Sequence, residues 1–210
     1  MDQIYYGYRT RVHDPRFSVR VVTPPAEEPV TLTEACAQVR QELGVDNTYI
    51  TGLIPAARQY VENVTGEMLV TRTLEIAYDA FPFPRGEIVL PFGPLQSITS
   101  ITYKDLSNTQ QTVDSSLYLV DTASVLGAAY LPLFNYWPLQ ICQSHSVKVQ
   151  GVFGFGSVAS GNIPALLVHA VKMMIAHFYE NREPVSMGLK PEEMPLSVKA
   201  ILDQYRTNWV

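Results

Sequence analysis

Cysteine is scarce: Cys36 and Cys142 are the two in 210 residues. They stand apart, with no CxxC or Cys/His spacing, so neither a disulfide framework nor a zinc site is indicated. Charge is sparse as well, at 17% of residues, and the net charge is −5. That leaves no general basic footprint for nucleic acid. No apolar run approaches the roughly 20 residues of a membrane span. The longest helical stretch carries Lys172 and two histidines. The opening MDQIYYGYRT has no signal-peptide pattern. The expectation is a soluble protein, made and assembled in a reducing compartment, with no membrane partner.

Motifs that carry chemistry are equally thin. GVFGFGSVASG is glycine-rich but lacks the Lys-Ser/Thr of a P-loop and the GxGxxG spacing, so it reads as a junction between elements. No nucleophile-elbow sequence accompanies the Ser, His and Asp residues. His169 and His177 lie eight apart, about 12 Å along a helix, too far for one metal. His177 and Glu180 have an i,i+3 spacing that holds a metal only with further ligands. We therefore assign no catalytic, metal or cofactor residues from sequence.

What the chain does have is one long helical signal, Asn162 to Glu183. Asn162 is a cap candidate and Pro164 sits in the first turn. Ile163, Leu166, Leu167, Ala170, Met174, His177 and Phe178 recur at spacings of three and four. A second stripe, Val168, Val171, Ile175 and Tyr179, covers much of the other side. Pro184 stops the helix. A helix apolar nearly all round needs cover on several sides. Two readings follow: a central core helix, or a helix with one face against a neighbouring subunit. Val168, Val171, Ile175, Tyr179 and Arg182 are the subunit-interface candidates.

The remaining elements follow in order. Residues 1–30 carry no helical period and mix tyrosines with Arg9, Arg11, Arg16 and Arg20, then prolines. An extended arm is expected, lying on its own domain or reaching a neighbour or a phosphate backbone. Thr31 and Glu34 have the capping-box spacing. Leu32, Ala35, Cys36, Val39 and Leu43 form a stripe ending at Gly44. Asp46 or Asn47 opens a second helix to about Thr65, with Gly66 as its stop. Pro55 inside it predicts a kink or a split.

The period then changes to alternation in TRTLEIAYDAF. Strands are expected at residues 87–90, 97–104, 117–121, 125–131 and 146–153, punctuated by Pro and Gly turns. Pro195 opens a short last helix with Val198, Ile201, Leu202 and Tyr205 on one face, followed by Trp209. These five are candidates for docking on a partner. The predicted fold class is α+β. A helical domain of about four helices, 31–66 plus 161–210, carries an inserted antiparallel β module, 67–160, and an arm, 1–30.

Four ordered segments resemble the head–tail connector, or adaptor, proteins of tailed bacteriophages, prophages and gene transfer agents. They are RVVTPPAEEPVTLTEACAQVR, LIPAARQYVENVTGEMLVTRTLEI, IVLPFGPLQSITSITYKD and IPALLVHAVKMMIAHFYENRE. Residues 1–17 fall outside the pattern, and Pro55 departs from it. The resemblance implies a non-catalytic neck protein without cofactors, which forms a homo-oligomeric ring of twelve subunits on the portal protein. It implies a virion location, with assembly in the host cytoplasm. The ring would extend the channel for double-stranded DNA, which passes without specific binding, and would offer a surface to the next neck, stopper or tail protein. The closing segment would engage the portal. The alternative from another class is a small-molecule or nucleic-acid-processing enzyme that uses the β module as a substrate platform.

Overall fold

The computed structural model describes residues 4–5, 17–82, 86–141, 143–182 and 195–206. The fold is α+β: among the described residues it has four helices and antiparallel sheets, with two strands before the first helix and the other strands between the second and third helices. The chain divides into two compact units: Met1–Pro25 with Thr71–Gly154, and Ala26–Val70 with Phe155–Val210.

The β unit holds a six-stranded antiparallel sheet. Its strands are β1 (Ile4–Tyr5), β2 (Phe17–Thr23), β3 (Arg72–Tyr78), β5 (Leu95–Lys104), β6 (Gln110–Thr112) and β9 (Val147–Phe153), in the order β1-β2-β3-β9-β5-β6. A second sheet has the order β4-β8-β7, from β4 (Ile88–Val89), β7 (Leu119–Asp121) and β8 (Ala128–Tyr130). The predicted alternation in β3 buries Leu74, Ile76 and Tyr78. Opposite Leu74, Ile76 and Tyr78, β9 places Gly151, Val149 and Val147, all buried.

Three strands were not expected: β1, β2 and β6. β6 reads QQT and is exposed throughout, so no apolar alternation marks it; it is an edge strand, paired with Thr102–Lys104. β2 buries only Val19 fully, yet pairs with β3 along its length. The glycine-rich junction begins after the strand expected over 146–153, and Gly151 lies in that strand. A side chain there would come within 3.0 Å of the Phe153 ring and 3.1 Å of the Ser97 carbonyl.

The helical unit is built from α1 (Leu32–Gln38), α2 (Asn47–Thr65), α3 (Ala165–Glu180) and α4 (Leu196–Tyr205). α1 starts at the predicted capping box: Thr31 N–H donates to Glu34 Oε2 at 2.9 Å, and Glu34 N–H donates to Thr31 Oγ1. It stops before the expected Gly44, so Leu43 lies outside the stripe and is exposed. α2 runs unbroken through Pro55. The missing N–H costs Thr51 C=O its helical partner, but Thr51 is solvent-exposed and water can replace it. Gly66 ends α2 at φ 79°, the left-handed region glycine adopts without strain.

α3 begins at Ala165, later than Asn162. The residue before a proline is pushed out of the α region, so the helix cannot extend back through Ile163. The core of this unit joins all four helices. Ile50, Ile54 and Val61 of α2 meet Leu167, Val171, Met174 and Ile175 of α3, with Val198 and Leu202 of α4 and Cys36 of α1.

Candidate interaction surfaces

The interface stripe predicted on α3 divides in two. Val171 and Ile175 are fully buried in the unit's own core, so these two cannot present a surface to another subunit. A helix clamped by α1, α2 and α4 spends the middle of both stripes internally. Val168 and Tyr179 are part-exposed and Arg182 is exposed.

Tyr179 and Arg182 belong to a surface cluster that the sequence does not show as one. The N-terminal turn of α2 brings Asp46 and Tyr49 beside the C-terminal end of α3. Arg182 donates to Asp46 Oδ2 at 2.6 Å, and the Tyr179 hydroxyl donates to the same oxygen at 2.9 Å. The guanidinium lies over both rings, 4.3 Å from the Tyr49 centroid and 4.5 Å from that of Tyr179. Cation–π attraction and the ion pair thus act on one group. The bonds from Arg182 and Tyr179 hold the Asp46 carboxyl below its ordinary pKa, while Asp46 raises that of Tyr179.

The docking stripe on α4 also turns inward. Val198 and Leu202 are fully buried among α2 and α3 residues, because a short amphipathic helix is stable only when its apolar face is covered. They are core residues. Ile201 and Tyr205 keep part of their surface, and Leu196 is 83% exposed. Trp209 lies outside the described residues, as do Arg9, Arg11 and Arg16 of the arm. Arg20, on β2, donates to Glu75 Oε2 at 3.3 Å, and Lys148 Nζ reaches the other oxygen of the same carboxylate.

The histidines do not build a site. His169 is exposed; His177 Nδ1 lies 3.2 Å from the Asn181 amide nitrogen. Among the described residues, no three His, Cys, Asp or Glu side chains come together as a metal site would require.

Sequence reading missed a buried charged cluster of the helical unit. Arg58 on α2 donates from Nε to Glu28 Oε2 at 2.7 Å and from Nη1 to Glu62 Oε2 at 2.8 Å. Glu62 Oε1 then accepts from Leu69 N–H at 3.0 Å, fastening the chain after α2. Burial opposes the Arg58 charge, yet the bond to Glu28 and both carboxylates raise its pKa. The i,i+4 spacing of Arg58 and Glu62 was the available signal. A second tie joins helices: Lys172 of α3 donates to Glu34 Oε1 at 2.7 Å. This bond, with those from Thr31, lowers the Glu34 pKa to about 2. Glu67 is buried, and burial raises its pKa to about 7.

No protein-family model and no curated protein matches the sequence. Solved structures do match the fold. A chain in the neck of the empty gene transfer agent particle, determined with C6 symmetry, superposes with a TM-score of 0.75 and 21% identity, over 91% of this chain and 96% of that one. A chain of the native gene transfer agent virion gives 0.74 and 21% over 91% and 96%. A chain in the native neck with C12 symmetry gives 0.66 and 21% over 90% and 97%. The likeness spans both units and nearly the whole of each chain, and so this protein has the fold of a gene transfer agent neck protein, the class to which its sequence resemblance points.

Proposed function

We propose that this chain is a structural neck protein of a tailed-phage-like particle, with no catalytic role. The observation that carries the reading is the fold likeness to neck chains over 91% of the sequence, β unit and helical unit together. A likeness confined to one unit would support only a shared module. The relatives' necks were determined with C6 and C12 symmetry, and a ring of copies, twelve in number, is the arrangement proposed here. The ring docks on the portal, continues the DNA channel and offers a surface to the next neck or tail component. The net charge of −5 favours DNA passing without adhesion. On α4 the portal contacts fall to Ile201, Tyr205 and the residues beyond, since Val198 and Leu202 are occupied internally. On α3 the subunit contacts fall to Val168, Tyr179 and Arg182.

Deleting the gene and imaging the particles by electron microscopy tests the proposal. The expected product is DNA-filled heads without tails, restored to tailed particles by the gene in trans. Normal tailed particles from the deletion strain would overturn it.

A further inference from the structure

More than half of the exposed large apolar side chains among the described residues fall in one stretch of the β unit, between Leu117 and Leu139. From Thr122 to Val147 the sequence has no Asp, Glu, Lys or Arg. Leu133, Phe134 and Leu139 are 79, 84 and 80% exposed. On the adjoining sheet, Leu119 of β7 pairs with Tyr130 of β8, and both are exposed. Three such side chains with Val125 present roughly 400–600 Å² of apolar surface, about half of one partner's share of a standard interface. So much exposed apolar surface within one short stretch of chain is uncommon in a monomer.

The loop is built to hold this surface out. Asn135 N–H donates to Pro132 O at 3.2 Å, closing a turn in which Phe134 has φ 71°. That conformation is strained for an aromatic residue, and no burial of Phe134 within the chain compensates for it. Three residues on, Trp137 is buried, stacked on Phe81 with centroids 4.9 Å apart, and its Nε1–H donates to Gly86 O at 2.9 Å. A rigid anchor thus fixes the base of an exposed aromatic tip.

We propose that this loop and the β7–β8 face form the contact between neighbouring copies of the chain in its ring. The inference rests on the neck reading above. A ring closed by rotation needs two different patches on every copy. Every copy also carries −5, so identical chains meet best where neither brings charge. A loop without charge, beside a strand whose Asp121 carboxylate accepts from the Ser124 hydroxyl, suits a permanent contact and gives little basis for selecting among foreign partners.

The test uses the full chain assembled into particles, with Phe134 replaced by the photo-crosslinker p-benzoyl-phenylalanine. Mass spectrometry should identify adducts between two copies of this chain. An adduct to another particle protein, or none in particles that contain the chain, would overturn the proposal while sparing the neck reading. Absence of the wild-type chain from particles would overturn both. In a second arm, the Leu133→Glu, Phe134→Glu double variant should keep the wild-type melting temperature and lose at least ten-fold in incorporation. Incorporation at the wild-type level would again refute the contact.

Discussion

Arg58 and Glu62 lie one turn apart on α2, 2.8 Å from nitrogen to oxygen, with 4% and 2% of their surfaces exposed. Neither charge has water to fall back on. Replacing Arg58 with Met should therefore cost about 3–5 kcal/mol, because Glu62 stays buried after its ion pair with Arg58 is lost. Removing Glu62 in the same chain should return part of that loss. Urea unfolding of both variants measures it; a single-variant loss below about 1 kcal/mol would show that the pair is dispensable.

Two carboxylates should respond to pH in opposite directions. Glu34, held at about 2, contributes stability above the usual carboxylate pKa that is lost as pH falls toward 2. It is exposed, so Glu34→Gln should cost no more than about 1 kcal/mol at pH 7, and less in high salt. Glu67, raised to about 7, favours the fold while protonated, and that contribution disappears as pH rises through 7. Glu67→Gln should therefore stabilise the protein at pH 8 by about 1–2 kcal/mol, allowing for residual solvent, and change little at pH 4. Unfolding curves at the three pH values decide; a Glu67→Gln gain independent of pH would refute the assignment.

Ile175 and Arg182 sit near one another on α3 and just past its end, but should behave differently. Ile175→Asp places a charge in the core and should unfold the helical unit, by more than about 4 kcal/mol. Arg182→Ala acts at the surface and should leave the melting temperature nearly unchanged while lowering assembly into particles. A folded Ile175→Asp monomer, seen by circular dichroism and light scattering, would mean that the stripe faces outward.

Deleting Leu196–Val210 should lower the melting temperature, since it removes Val198 and Leu202 from the core. Leu202→Ala alone should cost about 2–5 kcal/mol. A truncated chain that melts like the full one would place α4 outside the core. Portal binding by Ile201→Asp and Tyr205→Ala variants then measures docking separately, because both side chains keep exposed surface.

Local signals in the sequence were enough to place most elements. The Thr31–Glu34 capping box, the Gly66 stop, the alternation of Leu74, Ile76 and Tyr78, and the opening of α4 at Pro195 all act within a few residues of chain. Each therefore reads directly from spacing. The exposed edge strand β6 was not legible because an edge held by backbone hydrogen bonds needs no apolar pattern. β2 was hidden for a related reason: its partner β3 lies about fifty residues away and supplies most of the buried face. Tertiary structure alone decided how each apolar stripe is used. Periodicity shows that Val171, Ile175, Val198 and Leu202 must be covered, but burial is non-directional, and the same side chains would satisfy a core or a partner. Only the packing of α2, α3 and α4 around one centre assigns them to the core. The same packing brings Asp46, Tyr49, Tyr179 and Arg182, separated by more than a hundred residues, onto one surface.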